Sequence, residues 1–150
     1  MEEIKWLKML EYQQELHQFS RKILRHEEKY SLTISEIEIL SWLSIEPDKS
    51  TPLDLAHETG MKKEAISRCL RKLSEKEYIK KEQHPEDKRS IILTLTEKGN
   101  NELGQNYKVI LKNMYDLQKE MGEAFERLFE NIQDANRLLD KINRKQVDNK

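Results

Sequence analysis

The two ends of the chain carry apolar residues at helical spacing. In the first thirty positions these residues are three or four apart: Met9, Tyr12, Leu16, Phe19 and Ile23. In the last thirty positions the same spacing recurs: Phe125, Leu128, Ile132, Ala135, Leu139 and Ile142. The pattern predicts a helix over roughly residues 3–29 and another after Gly122, each with one apolar stripe. Two apolar residues in every seven form a narrow seam, which suits a partner helix better than a broad core.

Two short helices are predicted next from their start and stop signals. Thr33 and Glu36 have the spacing of a capping box, in which each side chain accepts a hydrogen bond from the other residue's backbone N–H. Pro47 ends this helix. Thr51 is placed to cap the second helix, and Gly60 supplies the turn after it because glycine tolerates positive φ.

A third short helix is predicted from about residue 62 to residue 76. One face is apolar, with residues at positions i, i+3, i+4 and i+7: Ile66, Cys69, Leu70 and Leu73. The opposite face is polar and mainly cationic: Lys63, Glu64, Ser67, Arg68, Arg71 and Lys72. Such a helix packs on the protein with one side and presents the other side to a charged partner.

After this helix the period of the apolar pattern changes from helical to strand-like. Residues 78–83 and 91–95 predict two strands. The polar segment 84–90 between them contains Pro85 and is predicted to be the tip of their hairpin.

The hairpin is followed by a predicted helix over about residues 97–119, which Thr96 caps. Its apolar stripe comprises Leu103, Tyr107, Ile110, Met114 and Leu117. Gly122 marks a break before the C-terminal stripe. The polar residues 143–150 are predicted to fray.

Short helices joined at Gly60 and followed by a hairpin have the order of a winged helix-turn-helix. The predicted fold class is therefore mainly α with a small β-hairpin, a winged helix-turn-helix flanked by N- and C-terminal dimerisation helices. In this motif the second helix enters the DNA major groove, where the planar fork of arginine matches the acceptors of guanine. The predicted DNA-binding residues are Lys62, Lys63, Ser67, Arg68, Arg71, Lys88 and Arg89.

Charge is distributed unevenly along the chain, although its net value is only −1. Residues 1–60 carry 7 basic and 12 acidic side chains, residues 61–90 carry 10 and 6, and residues 91–150 carry 10 of each. A local basic block inside a neutral chain is the electrostatic footprint of a nucleic-acid contact, and a solvated charged face is the alternative.

Composition bears on the compartment. No apolar run reaches membrane-spanning length, so we expect no membrane partner. The start Met1-Glu2-Glu3 lacks a secretion signal, and we expect a cytoplasmic location. Cys69 is the single cysteine, which excludes an intramolecular disulfide. Because Cys69 lies on an apolar helix face, we interpret it as a small buried hydrophobe and not as a redox sensor, which needs an exposed or activated thiolate.

The sequence offers little chemistry for catalysis or metal binding. Its four histidines share no close ligand spacing: His17, His26, His57 and His84. A glycine-rich phosphate loop and a Ser-His-Asp candidate are both missing. We therefore expect no cofactor, no metal site and no enzymatic activity.

Several short motifs in fixed order resemble the MarR family of bacterial regulators. The helical part contributes Leu55-Ala56, Gly60-Met61, Ile66-Ser67-Arg68, Leu70, Leu73, Glu75-Lys76 and Ile79. The hairpin contributes Asp87-Lys88-Arg89-Ser90, similar to the family's D-x-R pattern, and the segment from Leu93 to Gly99 is similar to its L-T-x-x-G pattern. Two positions depart from the family: Lys62 weakens the cap of its helix, and Glu77 replaces a common glycine, so that this helix is expected to run on or to end less sharply.

The resemblance implies a homodimer on a pseudo-palindromic operator in double-stranded DNA. Residues 1–30 and 100–146 would form the helical dimerisation region, and residues 31–99 the DNA-binding lobe. The dimerisation residues would include Leu16, Phe19, Phe125, Leu128, Ile132, Leu139 and Ile142. Family habit favours a repressor, and release by a small-molecule effector stays open.

The resemblance also implies roles for single residues of the lobe. The family's recognition arginine falls on Arg68, and the D-x-R arginine, which enters the minor groove, falls on Arg89 with Asp87 orienting it. The alternatives are an ion pair of Arg68 with Glu64 or Glu75 and a solvated loop charge at Arg89. For the whole chain, the alternatives are a winged-helix module that binds another protein and, more remotely, an enzyme.

Overall fold

A computed structural model describes residues 5–24 and 30–148 of the chain. Within them the elements are α1 (Trp6–Ile23), α2 (Ile34–Ile45), α3 (Pro52–Thr59), α4 (Lys63–Glu75), β1 (Ile79–Gln83), β2 (Ile91–Leu95), α5 (Glu97–Ile110), α6 (Lys112–Met121) and α7 (Glu123–Asp148). The predicted fold class, mainly α with one small hairpin, is confirmed. None of the described helices is both long and apolar enough to cross a membrane. Residues 3–4 and 25–29 of the first predicted helix lie outside the described residues.

The chain divides into two compact units, one of residues 26–110 and one of residues 1–25 with 111–150. The first unit contains α2 to α5 and the hairpin. Its elements share one apolar core: Leu32, Ile39, Leu40, Leu43, Leu55, Ile66, Cys69, Leu70, Leu73, Ile79, Leu93 and Leu103. All four apolar residues predicted for α4 are buried in it, so the interpretation of that helix as two-faced is confirmed.

The predicted starts of α2 and α3 are confirmed in atomic detail. The N–H of Glu36 donates to Thr33 Oγ1 at 3.2 Å, and the N–H of Thr33 donates to Glu36 Oε2 at 2.9 Å. Thr51 caps α3 and forms a second capping box with Asp54, with both backbone-to-side-chain distances at 3.1 Å. Gly60 ends α3 with φ of 70°, which is the left-handed conformation that glycine adopts without a steric cost.

Glu36 is a buried carboxylate that joins α2 to the end of α4. Its side chain is only 1% exposed, and its Oε1 accepts a hydrogen bond from Lys76 Nζ at 3.0 Å. Burial by itself would raise the pKa of Glu36. The hydrogen bonds from the Thr33 backbone and from Lys76 outweigh this effect, so the pKa of Glu36 is lowered.

The helix α4 ends sharply, which corrects the expectation that Glu77 would let it run on. Glu77 adopts φ of 61°, which is the left-handed conformation that favours glycine. The N–H of Tyr78 donates to the Leu73 carbonyl at 2.9 Å, and the N–H of Glu77 donates to the Ser74 carbonyl at 3.0 Å. This pair of bonds is a Schellman motif, which satisfies the last carbonyls of the helix although the residue is not glycine.

The strands β1 and β2 pair antiparallel, with Ile79 opposite Leu95 and Gln83 opposite Ile91. The N–H of Leu93 also donates to the carbonyl of Ser50 at 2.9 Å. This bond joins the hairpin to the residues that precede α3, so the hairpin has a defined position within the unit.

The start of α5 packs closely on the residue that follows α4. Thr96 caps α5 as predicted: its Oγ1 accepts from the N–H of Gly99 at 3.0 Å and donates to the carbonyl of Glu77 at 2.7 Å. A Cβ added at Gly99 would lie 2.2 Å from the carbonyl oxygen of Tyr78. The glycine of the L-T-x-x-G pattern is therefore required by the close approach of two backbones.

The second unit consists of α1, α6 and α7. Asn113 Nδ2 donates to the carbonyl of Lys22 at 2.9 Å, which joins α6 to the end of α1. An apolar groove of about 390 Å³ lies among the three helices, lined by Phe19, Lys22, Ile23, Asn113, Leu117, Met121 and Leu128. Large apolar side chains of α1 are nevertheless exposed: Trp6, Leu7, Met9, Leu10, Tyr12 and Leu16.

Two predicted helix limits are wrong. The helix predicted over about residues 97–119 is divided at Leu111 into α5 and α6. The sequence did not signal this break because Leu111 is apolar and neither Gly nor Pro lies beside it. The frayed end predicted over residues 143–150 is also wrong as far as Asp148, to which α7 continues, and residues 149–150 lie outside the described part of the chain. No helix breaker occurs there, and Lys145 in the last turn is favourable to the helix dipole.

Candidate nucleic-acid interface

The exposed face of α4 carries most of the residues predicted to bind DNA. Lys63, Ser67, Arg68 and Arg71 are all exposed on this helix. Lys62 occupies the N-cap position, and its side chain makes no capping hydrogen bond, as expected for a lysine there. The apolar face of the same helix is held in the core, so the direction of the polar face is set by packing.

The turn between α3 and α4 is closed by local hydrogen bonds. Thr59 Oγ1 donates to the Leu55 carbonyl at 2.6 Å and accepts from the N–H of Met61 at 3.2 Å. Together with Gly60, these bonds fix the angle at which α4 leaves α3, which is the geometric requirement of a helix-turn-helix.

A groove brings the hairpin tip together with the start of α4. It has a volume of about 390 Å³ and is lined by Pro52, Leu53, Lys63, Ile66, Ser67, Arg89, Ser90 and Ile91. Three predicted DNA-binding residues therefore meet here: Lys63, Ser67 and Arg89. Lys62, Arg68, Arg71 and Lys88 do not line this groove.

The cations of this face lack protein partners. Among the described residues, the side chains of Lys62, Lys63, Arg68, Arg71, Lys88 and Arg89 form no ion pair and no hydrogen bond. Some exposed cations elsewhere are paired, as in Lys112 with Asp116 at 2.7 Å and Arg137 with Asp134 at 2.9 Å. The alternative that Arg68 pairs with Glu64 or Glu75 therefore has no support. Unpaired cations on one face produce a positive potential that attracts phosphate.

The wing tip is shaped by its own side chains. Asp87 Oδ1 accepts from the backbone N–H of Arg89 at 3.0 Å, so Asp87 acts on the backbone of Arg89 and not on its guanidinium. This contact is consistent with an orienting role for Asp87.

Sequence reasoning missed three features of this surface. Leu53 lines the groove and is 69% exposed although its side chain is apolar. Gln83 and His84 bond the backbone of the tip, which strand periodicity does not reveal. A His two residues before a tight polar turn could have drawn attention, because a side-chain acceptor there reaches the next backbone N–H groups.

Cys69 is buried on α4, as interpreted from the sequence. Burial raises the pKa of its thiol, and the nearby Glu36 carboxylate raises it further. A thiol with a raised pKa is a poor nucleophile, which disfavours a redox role. In the described part of the chain, no three His, Cys, Asp or Glu side chains are grouped so that they could hold a metal ion.

Residues 21–105, more than half of the chain, match the sequence profile of the family described as Transcriptional regulator SarA/Rot. The chain belongs to this SarA/Rot family. No curated protein matches this SarA/Rot regulator at a significant level.

The SarA/Rot regulator shares its fold with solved MarR-type structures. A MarR/EmrR family regulator from Acinetobacter sp. ADP1 is 25% identical, with a TM-score of 0.67 over 92% of this chain and 99% of that one. BldR from Sulfolobus solfataricus is 22% identical, with a TM-score of 0.68 over 94% and 99%. A mutant MarR from E. coli, solved in complex with operator DNA, is 19% identical, with a TM-score of 0.65 over 89% and 98%. The winged-helix fold and the resemblance to MarR regulators are thus confirmed.

Proposed function

We propose that this transcriptional regulator binds double-stranded DNA sequence-specifically, with α4 in the major groove and the hairpin tip at the adjacent minor groove. The observation that carries the proposal is the set of unpaired, exposed cations on α4 and the tip, described above. Side chains that lack protein partners can exchange water for phosphate oxygens or base edges without first breaking an ion pair.

The residues of α4 divide by chemistry into readers and anchors. Arg68 presents a planar fork that fits the O6 and N7 acceptors of guanine, and Ser67 beside it can bond to a base edge. Lys62, Lys63 and Arg71 are suited to phosphates, which position the helix without reading sequence.

The hairpin tip supplies a second contact. We infer that Arg89 enters the minor groove, where a narrow width concentrates negative potential. Lys88 beside it is suited to a phosphate. Because Arg89 and Lys63 line the same groove, one segment of DNA backbone between them would be contacted from both sides.

We further propose that the regulator acts as a homodimer. The apolar face of α1 and three residues near the end of α7, Leu138, Leu139 and Ile142, are exposed in a single chain. So many exposed large apolar side chains are unfavourable in water and are typical of an interface. The half-buried residues Phe19, Phe125, Leu128 and Ile132 would extend this interface towards the packed part of the unit. A symmetric dimer would place two copies of α4 on half-sites about one DNA turn apart, hence a pseudo-palindromic operator.

The proposal extends to how DNA binding by this protein would be used and controlled. Family habit favours repression, in which the bound dimer blocks transcription. A small-molecule effector would release DNA only if it binds the DNA-incompetent state more tightly than the competent one. Because the regulator has to share a compartment with DNA, we infer a cytoplasmic location.

The test is selection from a pool of random-sequence duplexes at a low and a high salt concentration, followed by sequencing of the retained DNA. We expect enrichment of an inverted repeat and an affinity that falls steeply with salt, because phosphate contacts release counterions. A variant with Arg68, Arg71 and Arg89 all changed to Ala should lose both. A control variant changes two arginines that are paired with acids on α7, Arg127 and Arg137, to Ala.

Other outcomes would contradict the proposal. Retention without any enriched sequence would limit the protein to non-specific DNA binding. No retention by a folded dimer would favour the alternative of a winged-helix module that binds another protein.

A further inference from the structure

The wing tip, residues 84–90, is closed by two backbone hydrogen bonds. The N–H of His84 donates to the Ser90 carbonyl at 3.0 Å, and the N–H of Ser90 donates to the Asp87 carbonyl at 3.1 Å. The residues between these bonds, which include Lys88 and Arg89, are not paired with the opposite strand.

Side chains hold the rest of the tip backbone in place through hydrogen bonds. His84 Nδ1 accepts from the backbone N–H of Glu86 at 3.1 Å and from that of Asp87 at 3.3 Å. Gln83 Nε2 donates to the carbonyl of Lys88 at 2.9 Å. With the bond from Arg89 N–H to Asp87, each tip residue from 86 to 89 has a backbone group held by a side chain.

This order matters because the tip is exposed and carries the charges that we assign to DNA. An exposed loop that is disordered before binding loses conformational entropy when it binds, and this loss weakens the complex. A tip that already has its bound shape avoids the loss. The family's D-x-R pattern includes Asp87 but neither Gln83 nor His84.

We propose that Gln83 and His84 are positioning residues, which hold the tip backbone so that Arg89 and Lys88 meet DNA without prior ordering. The inference rests on the proposed function, since it concerns the same DNA contact. In this role, His84 accepts two backbone hydrogen bonds through Nδ1 and makes no contact with DNA itself.

Asparagine offers a matched replacement for His84. Its Oδ1 is attached to the same Cγ position as Nδ1 of histidine, and it accepts hydrogen bonds from backbone N–H groups two and three residues ahead in turns. His84→Asn should therefore keep both bonds, whereas His84→Ala removes them. Gln83→Ala removes the bond to Lys88.

The experiment measures the affinity of these variants for the fluorescently labelled duplex that the selection enriches, in the wild-type background and with Arg89→Ala. We expect His84→Ala and Gln83→Ala each to weaken binding about three- to tenfold, the usual effect of losing neutral hydrogen bonds. With Arg89→Ala present, the further loss should shrink to less than about twofold, since the group being positioned is gone. His84→Asn should bind like the wild type.

A second measurement needs no DNA. Amide hydrogen exchange of Glu86 and Asp87 should accelerate about three- to tenfold in His84→Ala and remain at the wild-type rate in His84→Asn. His57→Ala is the control, because His57 lies on α3 near Glu58 and not at the tip. The stability of the whole lobe, measured by urea unfolding, should be the same in all variants.

The outcomes separate the two proposals. Any of three results would overturn the positioning role while leaving DNA binding intact. The first is an equal loss of affinity with Arg89 and with Ala at that position. The others are a His84→Asn variant that binds as weakly as His84→Ala, and amide exchange that does not change. An Arg89→Ala variant with wild-type affinity would instead remove the wing contact from the proposed function, and the positioning role with it.

Discussion

Arg68 is the side chain of α4 that we expect to contribute most to sequence-specific DNA binding. It is exposed, has no ion pair within the described residues, and lies on the face that packing directs away from the core. A long flexible cation in this position can be a base reader or a phosphate anchor, and the two roles differ in what its removal does to sequence preference.

We predict that Arg68→Ala weakens binding to the selected duplex by about 1–3 kcal/mol and relaxes base choice at one position per half-site. Arg68→Lys should restore the charge but not the preference, because the bidentate fork is lost. Binding is measured by fluorescence anisotropy on the selected duplex and on single-base variants. Arg137→Ala is the matched control. An equal loss on selected and random duplexes would make Arg68 a phosphate anchor.

Glu77 is the second residue whose substitution has a clear expected effect, in this case on stability. A non-glycine residue at φ of 61° is destabilised by contact of its Cβ with the backbone. Its ion pair with Lys98, at 3.4 Å, joins two largely exposed side chains and contributes little in return.

We therefore predict that Glu77→Gly stabilises the protein by about 0.5–1 kcal/mol, after the greater chain entropy of unfolded glycine is deducted. The measurement is the midpoint of urea unfolding. Glu75→Gly, inside the last turn of α4, should destabilise by about 1 kcal/mol. A destabilised Glu77→Gly variant would mean that the glutamate side chain contributes more than its contacts indicate.

At the scale of elements, the lobe depends on junctions between secondary structures. The end of α4, the start of α5 and the buried Glu36 of α2 meet around residues 76–78 and 96–99. Lys76 bonds to Glu36, and its ammonium also lies 5.9 Å from the ring centre of Tyr78. Since α4 is held at this end, the junction helps to set the direction of its polar face.

The ion pair of this junction predicts a pH dependence. The pKa of Glu36 is lower in the folded state than its ordinary value of 4.5. The carboxylate therefore contributes stability that is fully present above about pH 4.5 and is lost as the pH falls through the lower folded value. Glu36→Gln should be less stable than the wild type by about 1 kcal/mol at neutral pH, and this difference should shrink below pH 4.5.

Urea unfolding from pH 7 down to pH 3.5 measures this difference. Glu75→Gln is the control, because Glu75 is exposed and has no ion pair among the described residues. A stability difference that stays constant over the whole pH range would refute the contribution of the Glu36 carboxylate and leave only a packing effect.

For the whole molecule, the main question is how the apolar helices of the second unit are covered. Leu139 is 53% exposed on α7, and Leu16 is 66% exposed on α1. The proposed dimer would bury these side chains, and DNA affinity would then depend on dimerisation, because two lobes on one operator bind far more tightly than one.

We predict that Leu139→Asp weakens dimerisation at least about tenfold, because an unpaired carboxylate would be buried at the interface. Light scattering over a range of protein concentrations measures the change. Gln133→Glu adds the same charge at an exposed position of the same helix, outside the apolar stripe, and should leave the dimer intact. A dimer that survives Leu139→Asp would place the interface elsewhere.

The sequence by itself determined the helices with clear caps, the hairpin, the two faces of α4 and the family motifs. These features depend on neighbours within a few residues: a capping box, a period of 3.6 or 2, a glycine at positive φ. They were sufficient to indicate a winged helix and to name the candidate DNA-binding residues.

Only the tertiary structure decided how those residues are grouped. The break at Leu111 has no local signal, and the sharp end of α4 depends on bonds that Glu77 and Tyr78 make once they are packed. The requirement for glycine at position 99 comes from Tyr78, which is distant in sequence. The meeting of Lys63 with Arg89, and the bonds of Gln83 and His84 within the tip, likewise depend on where the chain turns back, which periodicity does not encode.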